Sequence, residues 1–312
     1  MSVDFFTVWL VPTVVLLTAV VFYLYSVILR HLAKTTVRNK VVLITDSLST
    51  LGNECAKLFH IGGARLILCG NNWEKLESLA ERLMTESNPT ITFPPKLVEL
   101  DFSDMESVPE VVSEILECYG CLDVLIFNSS MKVKAPVQSL SLEIDRTVMD
   151  VNYFGPITLA KGVLPSLISR RTGHILLVNS IQGKLTVPFR ATYAASKHAV
   201  QAFFDCLRAE VQQYDITVST VNHTFIKTTT ITDEATAKSM WTTFTQQASL
   251  GVNPEEMANE LMKTLSSKKK EILLARSISK AAIYARSLFP NLFFTVMAAG
   301  VRNVAAEEMP VD

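Results

Sequence analysis

Short apolar runs alternate with longer amphipathic segments along most of the chain. The apolar runs contain many β-branched residues, as is typical of strands buried on both faces of a sheet. They fall at 41–45, 65–69, 96–100, 124–128, 174–179 and 217–222. Helical patterns lie between them, at 51–61, 73–86, 105–118, 142–167 and 191–213. The alternation predicts an α/β fold of the Rossmann type, a doubly wound parallel sheet with helices on both faces.

A longer apolar stretch, at 5–29, precedes this pattern. About 25 residues are enough to span a bilayer with some tilt. The stretch lacks the basic start and the cleavage site of a signal peptide, so we predict an uncleaved N-terminal transmembrane helix. Arg30 and Lys34 follow it directly, and the positive-inside rule then places the rest of the chain in the cytosol.

The predicted organisation has three parts. Residues 1–36 form the membrane anchor and its basic flank, and 37–280 form the Rossmann-type domain. The last part, 281–312, begins with an apolar run that Arg286 and Pro290 interrupt. These interruptions disfavour a second span, so we expect this segment to rest on the membrane surface or to cover the substrate pocket.

The balance of charges excludes one class of partner. The chain has 29 Lys and Arg against 30 Asp and Glu, a formal net charge of -1. It therefore lacks the basic footprint of a nucleic-acid-binding protein. Cys118 and Cys121 form a CxxC, but neither a second CxxC nor a histidine cluster accompanies it, so no metal site is predicted.

The most informative stretch for chemistry is 179–197. Tyr193 and Lys197 are one helical turn apart, which places a phenol and an ammonium group on one helix face. A fixed cation beside a phenol favours the phenolate, so Tyr193 could exchange a proton with an alcohol or a carbonyl oxygen. Ser180 ends the strand-like run before it, at the sheet edge where such folds bind ligands. Its hydroxyl could hydrogen-bond the same oxygen.

An ordered set of residues resembles the short-chain dehydrogenase/reductase family over 39–225. The set comprises 45–52, Asp101, Asn128, Asn152, Ser180, Tyr193 and Lys197. The apolar anchor and the Leu288-Phe289-Pro290 segment are most similar to a membrane-bound group of that family, member 7. The resemblance implies a catalytic tetrad: Tyr193 is the acid/base, Lys197 lowers its pKa and holds the nicotinamide ribose, Ser180 positions the substrate, and Asn152 anchors a water.

The resemblance also implies a set of cofactor-binding residues. They are Thr45, Ser47, Leu48, Leu51, Gly52, Asn71, Asp101, Phe102, Asn128, Tyr193, Lys197 and Thr228. Asp101 would contact the adenine. An equally supported interpretation is that its carboxylate caps the helix that follows. The run at 69–72 has no cation to meet a 2′-phosphate, and Asn71 could hydrogen-bond a 2′-hydroxyl. NAD(H) is therefore favoured over NADP(H).

Three segments differ from the family's pattern. In the phosphate loop, Asp46 and Thr50 stand where the family has glycines, so that only Gly52 remains. Asp46 raises an expectation of steric strain and of charge repulsion beside the pyrophosphate. Residues 127–130 stand where the family usually has the sequence N-N-A-G. Asn222-His223 stands where the family usually has Pro-Gly after the last core strand. His223 is interpreted as loop filler in preference to a polar group near the nicotinamide.

Residues 224–251 correspond to the family's mobile substrate lid and contain many apolar and aromatic residues. The predicted function is a membrane-anchored, NAD(H)-dependent oxidoreductase that interconverts an alcohol and a carbonyl on a lipophilic substrate, such as a retinoid or a steroid. By resemblance it would lie in the endoplasmic or sarcoplasmic reticulum membrane and could form a homodimer. The alternative is a cofactor-impaired family member that acts as a membrane-tethered binding or regulatory protein.

Overall fold

The computed structural model describes residues 13–18, 20–23, 37–224, 226 and 251–307, without the side chains of 302–307. The chain divides into two compact units, Met1–Thr36 and Val37–Asp312. In the first, 13–18 and 20–23 are helical. Most of the predicted anchor lies outside the described residues. Within the part that is described, no helix has both the length and the apolar character needed to cross a membrane.

The second unit is built on a parallel sheet, which confirms the predicted Rossmann-type fold. In the described residues the sheet has seven strands in the order β3-β2-β1-β4-β5-β6-β7, and each neighbouring pair is parallel. The strands are β1 (Val41–Ile44), β2 (Arg65–Gly70), β3 (Lys96–Glu99), β4 (Val124–Phe127), β5 (Gly173–Ser180), β6 (Ile216–His223) and β7 (Glu271–Leu274). The chain reverses direction across the sheet between β1 and β4, and such a switch point is where these folds bind ligands.

Helices cover both faces of the sheet. They are α1 (Thr50–Ile61), α2 (Trp73–Thr85), α3 (Val108–Tyr119), α4 (Leu142–Met149), α5 (Gly155–Arg170), α6 (Ala191–Glu210), α7 (Pro254–Ser267), α8 (Ser277–Leu288) and α9 (Pro290–Glu307). One apolar core packs α3, α5 and α6 against the sheet, with the rings of Phe127 and Phe204 5.3 Å apart. The other packs α1, α2 and α7. Because both faces of the sheet are buried, the sequences of the central strands are continuous apolar runs.

Two elements differ from the sequence prediction. The helix predicted over 142–167 is interrupted by a π-helical turn, Asp150–Phe154, between α4 and α5. Strand β7 was not predicted, although it contains the apolar residues 272–274. An apolar run of three residues is too short to indicate a strand by itself.

The C-terminal helices α8 and α9 expose a large apolar surface. Seven large apolar side chains there are exposed: Ile278, Tyr284, Leu288, Phe289, Leu292, Phe294 and Val296. Basic residues lie among them at Arg276, Lys280 and Arg286, and the sequence has no acidic residue from 272 to 306. Such a surface is unusual for a free-standing domain and is typical of an interaction site.

Candidate active site

Three members of the predicted tetrad come together at the carboxyl edge of the sheet. Tyr193 and Lys197 lie on the first turns of α6, and both are buried, with 3% and 2% of their surface exposed. The Nζ of Lys197 is 5.8 Å from the centre of the Tyr193 ring. Ser180 ends β5, and its hydroxyl accepts a hydrogen bond of 3.1 Å from the Gln182 N–H. The helix and the strand thus hold a phenol, an amine and a hydroxyl in one buried region.

Two hydroxyl groups lie within hydrogen-bonding reach of the Tyr193 phenol. One belongs to Ser180, as predicted, and the other to Ser130, which sequence reasoning missed. Burial raises the pKa of Tyr193 above its ordinary value, and these two hydroxyls and the charge of Arg190 act against that rise. The phenol is therefore held as a proton donor with hydrogen-bonding partners in place.

Burial changes the pKa of Lys197 itself, and its predicted effect on the pKa of Tyr193 stays a prediction. Burial, and next the charge of Lys132, lower the pKa of Lys197 itself to about 7. Burial disfavours the charged form of each group, the Lys197 ammonium and the Tyr193 phenolate. The pKa values of Lys197 and Tyr193 have therefore moved apart, and an amine that titrates near neutral pH is suited to passing protons.

Asn152, the fourth tetrad member, lies in the π-helical turn and holds a loop. Its Oδ1 accepts a hydrogen bond of 2.8 Å from the Met131 N–H, and its Nδ2 donates one of 2.8 Å to the Met131 carbonyl. The second Nδ2 hydrogen is donated to the Ser196 hydroxyl at 3.0 Å. These contacts involve the side-chain amide, and the role of Asn152 as a water anchor stays a prediction. Wide π turns often occur at functional sites, and this one aims the amide inward.

His223 is not loop filler, so that interpretation is wrong. It is the last residue of β6, is paired in register with Ser180, and is only 8% exposed. Burial, followed by the charges of Lys132 and Lys197, lowers the pKa of His223 to about 3, so its imidazole is neutral. Lys132 was also missed by sequence reasoning, since it lies in the segment where the family pattern is lost.

The phosphate loop leads from β1 into the N-terminus of α1. Ser49 caps the helix by accepting a hydrogen bond of 3.1 Å from the Gly52 N–H. A side chain at position 52 would place its Cβ 1.9 Å from the Asp46 carbonyl oxygen, so only glycine fits there. The loop backbone thus packs directly on the first turn of α1, whose free N–H groups can bind a phosphate.

Asn128 fixes this loop to the end of β4. Its Nδ2 donates a hydrogen bond of 2.7 Å to the Asp46 carbonyl, and its Oδ1 accepts one of 3.0 Å from the Asp46 N–H. The Thr45 hydroxyl in turn accepts a hydrogen bond of 3.2 Å from the Asn128 N–H. Thr45 and Asn128, both predicted to bind cofactor, therefore act on each other and shape the loop.

Asp46 is tolerated by the backbone but carries an electrostatic cost. It is not among the residues with a positive φ, so the strain expected from replacing a glycine is absent. Its carboxylate accepts a hydrogen bond of 3.1 Å from the Ser49 N–H. Burial nevertheless raises the pKa of Asp46, which shows that the charged form is poorly solvated there.

The other predicted cofactor residues divide into two groups. Asn71 is exposed just beyond β2, and Asp101 accepts hydrogen bonds from the Ser103 N–H and hydroxyl at 2.8 and 2.7 Å. These two remain accessible at the sheet edge. The side chains of Ser47, Leu51 and Phe102 are buried, and Phe102 packs against Gly155. Leu48 lies over Gly70, and Thr228 is outside the described residues.

The site fits a dinucleotide cofactor in its main features. The glycine at position 52 lets the loop after β1 pack on the first turn of α1, and Tyr193 and Lys197 lie on α6, on the other side of the switch point. The described residues at 70–72 present neither an acidic nor a basic group. The buried carboxylate of Asp46 opposes an anionic ligand.

Comparisons with known proteins agree with this geometry. The model of the short chain dehydrogenase family matches residues 40–239. The chain is 75% identical over 309 residues to dehydrogenase/reductase SDR family member 7C-B of Danio rerio, covering 98% of this chain and 97% of the relative. It is 52% identical over 297 residues to member 7C of Homo sapiens, covering 94% and 95%. These relatives confirm the resemblance to the member 7 group.

Solved structures share the fold at lower identity. A gluconate 5-dehydrogenase from Burkholderia cenocepacia in complex with NADP and tartrate aligns with a TM-score of 0.68 at 22% identity, covering 79% of this chain and 98% of that one. An alcohol dehydrogenase from Thermococcus sibiricus aligns with a TM-score of 0.64 at 23% identity, covering 76% and 96%. The chain belongs to the short-chain dehydrogenase/reductase family of NAD(P)-dependent oxidoreductases.

Proposed function

We propose that the protein interconverts an alcohol and a carbonyl group with NAD(H), using Tyr193 as the acid/base. The observation that carries the proposal is the buried Tyr193 phenol, which has the Ser130 and Ser180 hydroxyls within hydrogen-bonding reach and Lys197 beside it. A bound nicotinamide would supply or accept the hydride. The chain itself would bind the substrate oxygen, exclude water and move one proton.

In the reductive direction, Tyr193 would donate its proton to the substrate oxygen as negative charge develops there. The Ser180 hydroxyl would donate a hydrogen bond to the same oxygen and hold it against the phenol. Because burial raises the pKa of Tyr193, the phenolate left behind needs stabilisation. Lys197, whose pKa of about 7 lets it gain or lose a proton at neutral pH, would then return the proton from its ammonium form. Oxidation would use the same groups in reverse.

NAD(H) is preferred over NADP(H) in this proposal because the described residues at 70–72 present no cation. Asn71 is exposed at that position and can hydrogen-bond a 2′-hydroxyl, whereas a 2′-phosphate calls for Arg or Lys. The preference is tested by calorimetric titration of the full chain in detergent with NADH and with NADPH. Saturable binding of NADH with much weaker binding of NADPH is expected. Equal or stronger binding of NADPH would reverse the assignment.

A lipophilic substrate and a membrane location complete the proposal. The apolar stretch at 5–29 supports an N-terminal anchor in the endoplasmic or sarcoplasmic reticulum, with the catalytic unit in the cytosol. The exposed apolar and basic side chains of α8 and α9 support contact with an anionic membrane surface. Oxidation of retinoid and steroid alcohols should therefore be measured with NAD⁺ in lipid vesicles, with Tyr193→Phe as the inactive control.

Asp46 favours a second candidate function, a cofactor-impaired protein that binds partners at a membrane. A carboxylate beside the pyrophosphate site weakens cofactor binding in proportion to its ionisation. Asp46→Gly combined with Thr50→Gly restores the family's loop. A large gain in NADH binding in this variant, with no measurable binding in the natural chain, would favour the second function. Tight binding by the natural chain would exclude it.

A further inference from the structure

A cleft lies between α7 and β7, at the carboxyl edge of the sheet. Its volume is about 770 Å³, which is within the range of sites that bind small molecules. Leu273 and Leu274 of β7 line it, together with Val252 before α7 and Thr224 directly after β6. The cofactor-binding and proton-transfer roles assigned so far make no use of this cleft.

The register of the sheet places the cleft in line with the catalytic residues. Ser180, His223 and Leu274 are the last residues of β5, β6 and β7. They form one row across the sheet, because Ser180 is paired with His223 and His223 is paired with Leu274. Neighbouring strands are about 4.8 Å apart, so the backbone of Leu274 lies about 10 Å from that of Ser180. The cleft therefore begins two strands away from the hydroxyl predicted to hold the substrate oxygen.

His223 stands between the cleft and Ser180. Two residues earlier on the same strands, Val221 and Ile272 pack in the core beneath α7, so His223 and Leu274 point to that side of the sheet. The imidazole of His223 is neutral, because burial above all lowers its pKa to about 3. An apolar chain can lie against this ring without taking a charge out of water.

The cleft has an apolar floor and a charged rim. Val252, Leu273 and Leu274 are partly buried and form the floor. The rim consists of exposed charged side chains of both signs, among them Glu256 on α7 and Arg276 at the start of α8. A rim with both signs does not select a charged ligand, whereas the floor favours a hydrocarbon chain.

The rim adjoins the exposed apolar surface of α8 and α9. Ile278 lies between Arg276 and Lys280 in the chain and is 57% exposed, and Tyr284, one turn after Lys280, is 67% exposed. Arg276 and Lys280 themselves line the cleft. The proposed function places this apolar surface at a membrane, so a chain in the cleft would reach lipid with its far end.

We propose that the substrate is an elongated lipid with its alcohol or carbonyl group at one end, and that its hydrocarbon chain passes His223 and lies in the cleft on Leu273 and Leu274. The proposal rests on the proposed function and narrows its substrate to molecules that extend beyond about 10 Å from the reacting carbon. Oxidation of such a primary alcohol gives the aldehyde. NAD⁺ takes the hydride from the alcohol carbon, and Tyr193 takes the hydroxyl proton.

The first test locates the chain without relying on turnover. Full-length protein in lipid nanodiscs is irradiated with dodecanol that carries a diazirine either beside the hydroxyl group or at the far end. Mass spectrometry then identifies the labelled peptides. We expect the far-end probe to label 252–263 and 271–280, which line the cleft. The probe with the diazirine beside the hydroxyl should label the segments that carry Ser180 and His223.

Kinetics measure what the cleft contributes. With NAD⁺, kcat/KM should rise by about threefold for each methylene added between butanol and dodecanol. Leu274→Trp, which fills the cleft, should lower kcat/KM for dodecanol at least about tenfold more than it lowers kcat/KM for butanol. Leu97→Trp, at a partly buried leucine on the opposite edge strand β3, is the matched control. It should change both substrates alike, as would a merely structural effect of Leu274→Trp.

Each outcome separates the two proposals. Oxidation of butanol and dodecanol with a ratio of kcat/KM that Leu274→Trp leaves unchanged would overturn the cleft and leave the proposed function standing. Far-end labelling that avoids both cleft segments would do the same in a protein that oxidises these alcohols. Far-end labelling of the cleft in a protein that oxidises no alcohol would retain the lipid site and refute the oxidoreductase.

Discussion

The site has a catalytic end, around Tyr193 and Lys197, and a phosphate end, formed by the loop between β1 and α1. The two ends differ in the charge of the side chains that they carry. At the catalytic end, Tyr193, Lys197 and Ser180 stand at the positions the family requires, and the positive charge of Lys132 acts on Lys197. At the phosphate end, Asp46 replaces a glycine and brings a negative charge to the place where the family binds an anion. The backbone of both ends is well formed. The chain has therefore kept the backbone geometry of both ends, whereas at the phosphate end it has added the negative charge of Asp46.

Tyr193→Phe should show the largest effect of any single change at the catalytic end. Removing the phenolic hydroxyl removes the proton donor while leaving the ring in place, so kcat should fall about a thousandfold. NADH binding, measured by calorimetry, should change little. Tyr214→Phe, in the short helical turn after α6, is the control and should retain activity. Near-normal turnover by Tyr193→Phe would show that another group moves the proton.

Lys197→Met should stabilise the fold and abolish turnover. The unfolded lysine has an ordinary pKa of 10.5, and burial lowers the folded pKa to about 7. The unfolded chain therefore binds more protons between these values, and stability rises as pH increases through this window. At neutral pH the variant should gain roughly 2–4 kcal/mol in the free energy of unfolding.

Denaturant titrations from pH 6 to pH 10 check the sign of this effect. The natural chain should become more stable with rising pH, and Lys197→Met should lose most of that slope. Lys75→Met changes an exposed lysine on α2 and should leave the slope intact. A destabilised Lys197→Met would mean that the ammonium group has a favourable partner.

Asn152→Ala should loosen the catalytic end without changing its ionisable groups. The substitution leaves the Met131 N–H and carbonyl without their partners, which should cost about 2 kcal/mol of stability. Because the freed loop carries Ser130 and Lys132, kcat should fall as well, by about tenfold. Asn259→Ala, on the exposed face of α7, is the control. Unchanged kcat in a destabilised Asn152→Ala would confine this residue to folding.

Asp46→Asn should produce the smallest change, a gain at the phosphate end. Asparagine preserves the acceptor for the Ser49 N–H and removes the charge, so NADH affinity should rise about tenfold where Asp46 is ionised. In the natural chain, NADH binding should weaken as pH rises through the raised pKa of Asp46, since the carboxylate appears above it. The variant should lack this pH dependence, and Asp104→Asn, on an exposed turn, should keep it.

The sequence was sufficient to predict the central architecture and to predict that Tyr193, Lys197 and Ser180 come together at one edge of the sheet. The buried strands β1, β2, β4, β5 and β6 were predicted because both faces are covered, which leaves long apolar runs in the sequence. Strand β7 was missed because its apolar run, 272–274, has only three residues. The π turn at Asp150–Phe154 was missed because a single extra residue in a helix leaves the amphipathic pattern almost unchanged.

The electrostatics of the site could not be predicted from spacing. The four-residue interval between Tyr193 and Lys197 gave their shared helix face correctly, but it carries no information on how deeply the pair is buried. Burial decides the direction of both pKa changes here. His223 and Lys132 were misread or missed for the same reason, since they approach Lys197 only through the packing of β6 and of the loop after β4.

The segment from Asn128 to Ala135 has a consequence for the order in which ligands bind. Within this segment, Asn128 hydrogen-bonds to the phosphate loop, and Met131 hydrogen-bonds to Asn152. The Ala135 N–H donates a hydrogen bond to the Phe189 carbonyl. A cofactor that steadies the phosphate loop would also steady Ser130 and Lys132 through this one segment. We therefore expect compulsory-order kinetics in which the dinucleotide enters first and leaves last, visible as substrate affinity that increases once the dinucleotide is in place.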